Sequence, residues 1–451
     1  MSRFLPEDFQ LRSLFGCYEA VTDWPFSYLD LEPFYTQAEQ EIGVSGRAGI
    51  NPYEGPRSAD YPMAPLSEHP LAKELDEVCA RHHLHPFPTP RAVNSAPYGG
   101  RPACQYCDRC AGFGCPTGAR GTVQEALLPR ALATGRCRLL THARVRAITV
   151  SEQGRARGCV YLDDAGQEHE VLARLVCVCC SAVESARLLL LSACSRFPDG
   201  LANNSGQVGK NLQFHGTSVG ITRFRFDGLS RLELRDPQPF LGRALMDYYF
   251  LPSSAATFPT GGTLLFQNLG WPPLMTAKVL ALAGEKTLWG NRLIATLQGY
   301  YERARTVGFE VHHAFTPNEK TYVDLDPQTQ DSWGIPAARI HLAPTADLKP
   351  AGGFLVQRGL EILAELGADE VLPPLVGEVA PYLVHGTCRA GQDPETSVLD
   401  AHCRSHEVPN LFVVDGSFMP TSGGAPPTLT ILANSFRVAA FIIEEGQRGA
   451  W

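Results

Sequence analysis

Hydrophobic and polar positions follow two different patterns along the chain. Over residues 104–215, "CRLLTHARVRAITVSE" alternates as strands do. A hairpin signal follows around Asp164-Ala165-Gly166, and then a continuous apolar run at 175–180. The segment "AVESARLLLLSA" continues that run at once with helical spacing. A buried strand feeding straight into a helix is the step of a parallel α/β layer. From about 216 to 375 the runs "SVGITRFRF", "FEVHHAF", "TYVDLD" and "ARIHLAP" read as strands, and 278–286 and 350–366 as helices. This predicts an antiparallel sheet with helices on one face. In the tail, the strand "NLFVVDGS" precedes a helix at 428–445. Nearer the start, residues 1–50 read as short helical segments broken by Pro25 and Pro33, "TVQEALLPRALAT" reads as a helix, and the Pro- and Gly-rich stretch 51–103 reads as irregular. The fold class is α/β plus α+β. Four stretches are expected: 1–103 as a wrapping, connecting segment, 104–215 as part of an α/β domain, 216–375 as an inserted antiparallel domain, and 376–451 as a return to the first.

Composition narrows the function classes. Of 451 residues, 44% are hydrophobic and 19% charged, enough to bury a large core. The net charge of -8 speaks against non-specific nucleic-acid binding, which needs a basic face. The most apolar stretch, "LTILANSFRVAAFII", carries Asn434 and Arg437 and reads as a buried helix, so no membrane span is expected. "MSRFLPEDFQLRSL" lacks the apolar core of a signal peptide, which makes the cytoplasm the default compartment.

Four of the 14 cysteines fall in "CQYCDRCAGFGCPTG": Cys104, Cys107, Cys110 and Cys115. Ferredoxin-type iron–sulfur runs are one residue tighter before the last cysteine. Four thiolates also suit zinc, although structural zinc sites usually split into two knuckles. Disulfides or free thiols are the third reading. Gly112, Gly114 and Gly118 do not make a dinucleotide loop, because the last glycine comes one place late and no apolar strand precedes it. A zinc site on Cys388, Cys403 and His406 lacks a fourth ligand at sensible spacing.

Several long segments carry a resemblance. "DWPFSYLDLEPFYTQAEQEIGVSG" (23–46), "CCSAVESARLLLLSA" with "GLANNSGQVGKNLQFH" (200–215), "GTCRAGQDPETSVLD" and "NLFVVDGSFMPTSGGAPPTLTILANSFRVAAFI" (410–442) are similar to the glucose–methanol–choline (GMC) flavoprotein oxidoreductases, in particular their sugar, gluconate and alcohol dehydrogenases. The resemblance implies FAD and the oxidation of a small alcohol or sugar. It implies Val145 on the strand passing the adenine, Asp415 and Gly416 at the flavin-contacting strand end, and Thr428 opening a helix aimed at the flavin. It implies His385 as the catalytic histidine, displaced to the position directly before Gly386, while Pro426 replaces the second catalytic partner. His215, at the end of "NLQFH", is expected to be structural. The "CPTGA" sequence implies an iron–sulfur cluster on the four cysteines, passing electrons to an acceptor subunit. Members open with a strand, a G-x-G-x-x-G turn and a helix. Their lack here implies an incomplete, Rossmann-like FAD domain, short of roughly a hundred or more residues, which leaves a split gene with a separate N-terminal FAD-binding chain as partner, a misassigned start, or a remnant. The alternative is a non-catalytic relic or an electron-transfer scaffold.

Overall fold

The computed structural model describes residues 1–107, 114–225, 240–268, 273–282 and 286–451. Its largest sheet runs in the order β1 (Phe87–Pro88), β7 (Arg243–Leu245), β8 (Gly262–Asn268), β9 (Ala304–His313), β6 (Gln213–Arg225) and β12 (Glu370–Val371), and β13 (Leu375–His385) also pairs with β6. The pairings are antiparallel, as the alternating runs predict. Helix α4 (Leu348–Glu365) covers one face. Its close approach depends on two glycines. A Cβ at Gly220 of β6 or at Gly359 of α4 would lie 2.3 Å from Cζ of the fully buried Phe309, so the ring fills the slot that both leave open.

The α/β part is built on β5 (Val176–Val178), which pairs in parallel with β14 (Leu411–Val413) and leads into α3 (Ala182–Leu191). Beside it stand the antiparallel strands β2 (Arg144–Val150), β3 (Ala156–Leu162) and β4 (Glu168–Leu172). A hairpin of β10 (Tyr322–Gln330) and β11 (Pro336–His341) packs on α3. The closing helix α5 (Thr428–Gln447) lies against α1 (Tyr28–Ile42). Phe4, Phe9, Trp24, Tyr35, Phe412 and Phe418 share one core, so the first and last segments of the chain are packed together.

Three local expectations are corrected. Pro33 does not end a helix but sits inside α1, on its exposed side. The opposite side buries Leu31, Tyr35, Ala38 and Ile42, and Ser27 and Asp30 form a capping box at the start, which together offset the lost backbone bond. The stretch 51–103 contains a helix, α2 (Leu71–Arg81), whose buried Leu71, Ala72, Leu75, Val78 and Cys79 recur at helical spacing. "TVQEALLPRALAT" forms two short helices, Val123–Ala126 and Leu128–Ala133, because Pro129 has no N–H with which to continue the first. The helix expected at 278–286 is seen as Pro273–Leu282, and 283–285 lie outside the described residues.

One buried acid ties the N-terminal segment to the main sheet. Asp8 is 1% exposed, and its carboxylate accepts from the Leu5 N–H at 2.8 Å and the Tyr249 hydroxyl at 2.6 Å. The Tyr249 oxygen accepts in turn from the Gly424 N–H at 2.9 Å. Burial dominates over these donors and raises Asp8 from 3.8 to about 7. A carboxyl that holds its proton more tightly when folded stabilises the fold at low pH, and that contribution is lost as pH rises from about 4 to about 7. The loss is on the order of 4 kcal/mol across that window. Asp8→Asn is expected to flatten this part of the stability–pH curve in chemical unfolding. An unchanged slope contradicts the assignment.

Candidate active site

The site is organised where β13 ends. His385 is its last residue, and Gly386 and Thr387 follow with φ of +77° and +78°. A Cβ at Gly386 would lie 2.1 Å from the Asn211 carbonyl oxygen, so only glycine fits. Thr387 carries left-handed strain of about 1–3 kcal/mol. Its hydroxyl donates to the Ala182 carbonyl and its own carbonyl accepts from the Gly209 N–H, both at 2.8 Å. The turn directs the chain along the segment after β14: Gly386, Cys388 and Ala390 donate to the carbonyls of Gly416, Ser417 and Phe418 at 3.0, 3.0 and 2.8 Å.

This arrangement brings His385 and Gly416 together, with Asp415 next to Gly416 in the chain and Ile431 of α5 against it. A Cβ at Gly416 would meet the Val384 carbonyl at 3.0 Å, the Ile431 side chain at 3.2 Å and His385 Cβ at 3.4 Å. Ile431 belongs to the first turn of α5, whose opening residue Thr428 is exposed. No side chain caps α5, so the partial positive charge of its first amides is available. The Asp415 carboxylate is used within the protein. It accepts from the N–H groups of Ser181 and Ser417 at 2.9 and 2.8 Å and from the hydroxyls of Ser185 and Ser417. Val145, on β2, lines a cavity of about 280 Å³ with Cys180, Glu184, Arg187, Leu188 and Ile335, and Cys180 directly precedes Ser181, which donates to Asp415.

Three more histidines, His215, His312 and His313, lie in the same sheet as His385. His215 on β6 lies 5.1 Å from His385 and 6.1 Å from His312, centroid to centroid, edge-on to both. The His215 Nε2–H donates to the Ala425 carbonyl at 2.8 Å. Both ring nitrogens of His385 are buried and have no hydrogen-bond partner among the described residues, and neither has Nδ1 of His215, His312 or His313. Burial lowers His385 from 6.5 to about 3. Burial, helped by His312, lowers His313 to about 4. His215 is held well below its ordinary value, first by burial and then by His385 and His312. These imidazoles are neutral at physiological pH.

The cysteine loop looks different from its spacing. Cys104, Cys107 and Cys115 line one cavity of about 10 Å³, the room of roughly one water molecule. Cys110 lies outside the described residues. Among the described residues no group of three or more His, Cys, Asp or Glu is placed to hold a metal ion, so neither the iron–sulfur cluster nor zinc gains support. Cys104, Cys107 and Cys115 are free thiols, so none of the three is in a disulfide. Burial pushes the Cys104 thiol up. Burial also raises Cys115, but the Thr117 hydroxyl and the N–H groups of Thr117, Arg120 and Ala119 outweigh it and hold that thiol at about 7.

Sequence profiles of the GMC oxidoreductases match residues 89–217 and 379–435, the two segments that carry the cysteine loop, β2 to β5, His215, His385 and the start of α5. The chain is 31% identical to 6'''-hydroxyparomomycin C oxidase of Streptomyces lividus, over 98% of this chain and 76% of the relative. It is 32% identical to 2-methyl-1,2-propanediol dehydrogenase of Mycolicibacterium austroafricanum, over 98% and 78%. The chain belongs to the GMC oxidoreductase family. It is an FAD-dependent oxidoreductase of that family. Its fold is similar to that of a formate oxidase from Aspergillus oryzae, with a TM-score of 0.62 at 12% identity, over 99% of this chain and 82% of the other.

The described residues of this GMC oxidoreductase fit part of an FAD molecule. The orphaned nitrogens of His385 and the open start of α5 suit a polar ring system. Among the described residues no strand, G-x-G-x-x-G turn and helix stand ready for the pyrophosphate. The histidine cluster is the feature that reading the sequence misses. Its members lie up to 170 residues apart (215 to 385), and pairing registers alone bring them together.

The Cys115 environment makes a direct prediction. At pH 7 an alkylating reagent should label Cys115 ahead of Cys104, because about half of Cys115 is thiolate there. Peptide mass mapping over a time course reads the order, and equal rates would contradict the hydrogen-bonding pattern.

Proposed function

We propose that the chain acts with FAD to oxidise a CH–OH group of a small alcohol, sugar or polyol to the carbonyl. The His385 imidazole carries this reading: it is buried, without a partner among the described residues, and lies beside Gly416 near the open start of α5. When bound, FAD supplies the hydride acceptor. A bare ring nitrogen of His385 takes the hydroxyl proton. Because burial holds His385 at about 3, its lone pair is free at physiological pH but weakly basic, so it takes the proton only as the hydride leaves the same carbon. The first amides of α5 favour negative charge next to Gly416. Pro426 donates nothing from the loop before α5. The relatives' names support the substrate class, with a propanediol for one and a hydroxyparomomycin for the other. A scaffold without chemistry has less support, since the matched segments carry His385, Gly416 and Thr428 together.

A second element of the proposal is that the FAD site is completed by a strand, G-x-G-x-x-G turn and helix outside this chain. Parallel sheets occur almost only with both faces covered. Here the parallel sheet has two strands among the described residues, β5 and β14, and Cys177, Cys179 and Cys180 at β5 are exposed. Co-purification with a polypeptide of that kind should raise FAD retention, and equal retention with and without it counts against completion from outside.

With FAD bound, His385→Ala is expected to lower kcat/KM for the best alcohol or sugar roughly 100-fold. The wild-type kcat/KM should show no acid limb near 6.5 and should fall from this group only as pH approaches about 3. An alanine variant of ordinary activity overturns the role of His385.

A further inference from the structure

We propose that His215 is the positioning partner of His385, so that β6 supplies the second imidazole of the site in place of a donor in the loop before α5. The inference rests on the role of His385 proposed above.

The His385 ring makes no hydrogen bond among the described residues, so packing alone sets it. The ring against it is His215, at 5.1 Å and an interplanar angle of 64°. The His215 ring is itself fixed. Its Nε2 lies 2.8 Å from the Ala425 carbonyl oxygen, and a carbonyl only accepts, so Nε2 bears the proton and Nδ1 is bare. Ala425 directly precedes Pro426, Pro427 and the first turn of α5. A single imidazole therefore holds two parts of the site in register. Its edge contact orients His385, and its N–H holds the entry of α5. The rest of that loop has other anchors. Gln213 donates to the Met419 and Pro420 carbonyls at 3.3 and 3.1 Å, and Thr263 donates to the Gly424 carbonyl at 2.8 Å. Removing either function of His215 should then disturb the site without freeing the whole loop.

The two functions separate by substitution. His215→Phe keeps a ring against His385 and loses the donor, whereas His215→Gln keeps a donor for Ala425 and loses the ring. Nitrogen NMR of the full chain, labelled in histidine, reads the site without turnover. In the wild type, His215 should be neutral with its proton on Nε2, and a charged ring or an Nδ1–H tautomer overturns the proposal even if neither variant folds. His215→Gln should shift the His385 ring signals, and His215→Phe should shift the amide signals of Thr428 and Leu429 more than those of His385. With FAD bound, both should lower kcat about tenfold or more while KM changes little. If His385→Ala is inactive but His215→Gln leaves the His385 signals and kcat unchanged, the positioning role fails and the role of His385 stands. If His385→Ala remains active, the proposed function fails whatever His215 does.

Discussion

The site depends on the pairing of β6 with strands on both sides at the one end where it carries Gln213, His215 and Gly216. On one side Gln213 pairs with His385, and on the other Gly216 pairs with His313. A side chain at Gly216 is excluded, since a Cβ there would lie 2.1 Å from the His313 ring. That narrow strand end lets the imidazoles stack edge to face, and the same residues reach across to the loop before α5. Gln213 holds the Met419 and Pro420 carbonyls and His215 holds that of Ala425. The sheet and the α/β part are thereby joined through hydrogen bonds at the place where chemistry is expected.

The electrostatics of this junction follow from burial. The imidazoles of His215, His313 and His385 are held neutral because burial disfavours their charged forms. The nearby carboxylate of Asp415 is neutralised in effect by two N–H groups and two hydroxyls. What is left is a buried set of bare nitrogen lone pairs beside the positive potential at the start of α5. Such a place favours taking a proton from a neutral hydroxyl and holding negative charge near Gly416. It suits hydride chemistry on an uncharged alcohol better than chemistry on an ion.

Much of the fold was legible because its segments keep one period. The described part of "SVGITRFRF", the run "FEVHHAF" and the apolar run before α3 became strands, as they suggested. Pro33 misled because tertiary packing of α1 outweighs a local breaker on the exposed side. Helix α2 was missed although its apolar spacing is regular, because the prolines and glycines around it dominate the stretch. Within the proposed site, His385, Gly416 and Thr428 were singled out by their motifs. The grouping of His215, His312 and His313 around them was not, since it exists only through strand register. The cysteine loop shows the opposite case. Its spacing suggests a metal cluster, whereas Cys104, Cys107 and Cys115 enclose about 10 Å³.

The most direct measurement of the central claim is anaerobic mixing of the FAD-loaded protein with a panel of diols and sugars while the visible flavin band is followed. The account predicts bleaching by at least one hydroxyl substrate in the wild type, slowed strongly in His385→Ala with its flavin still bound. A flavin that no alcohol, sugar or polyol reduces, or one reduced equally fast without His385, would contradict it.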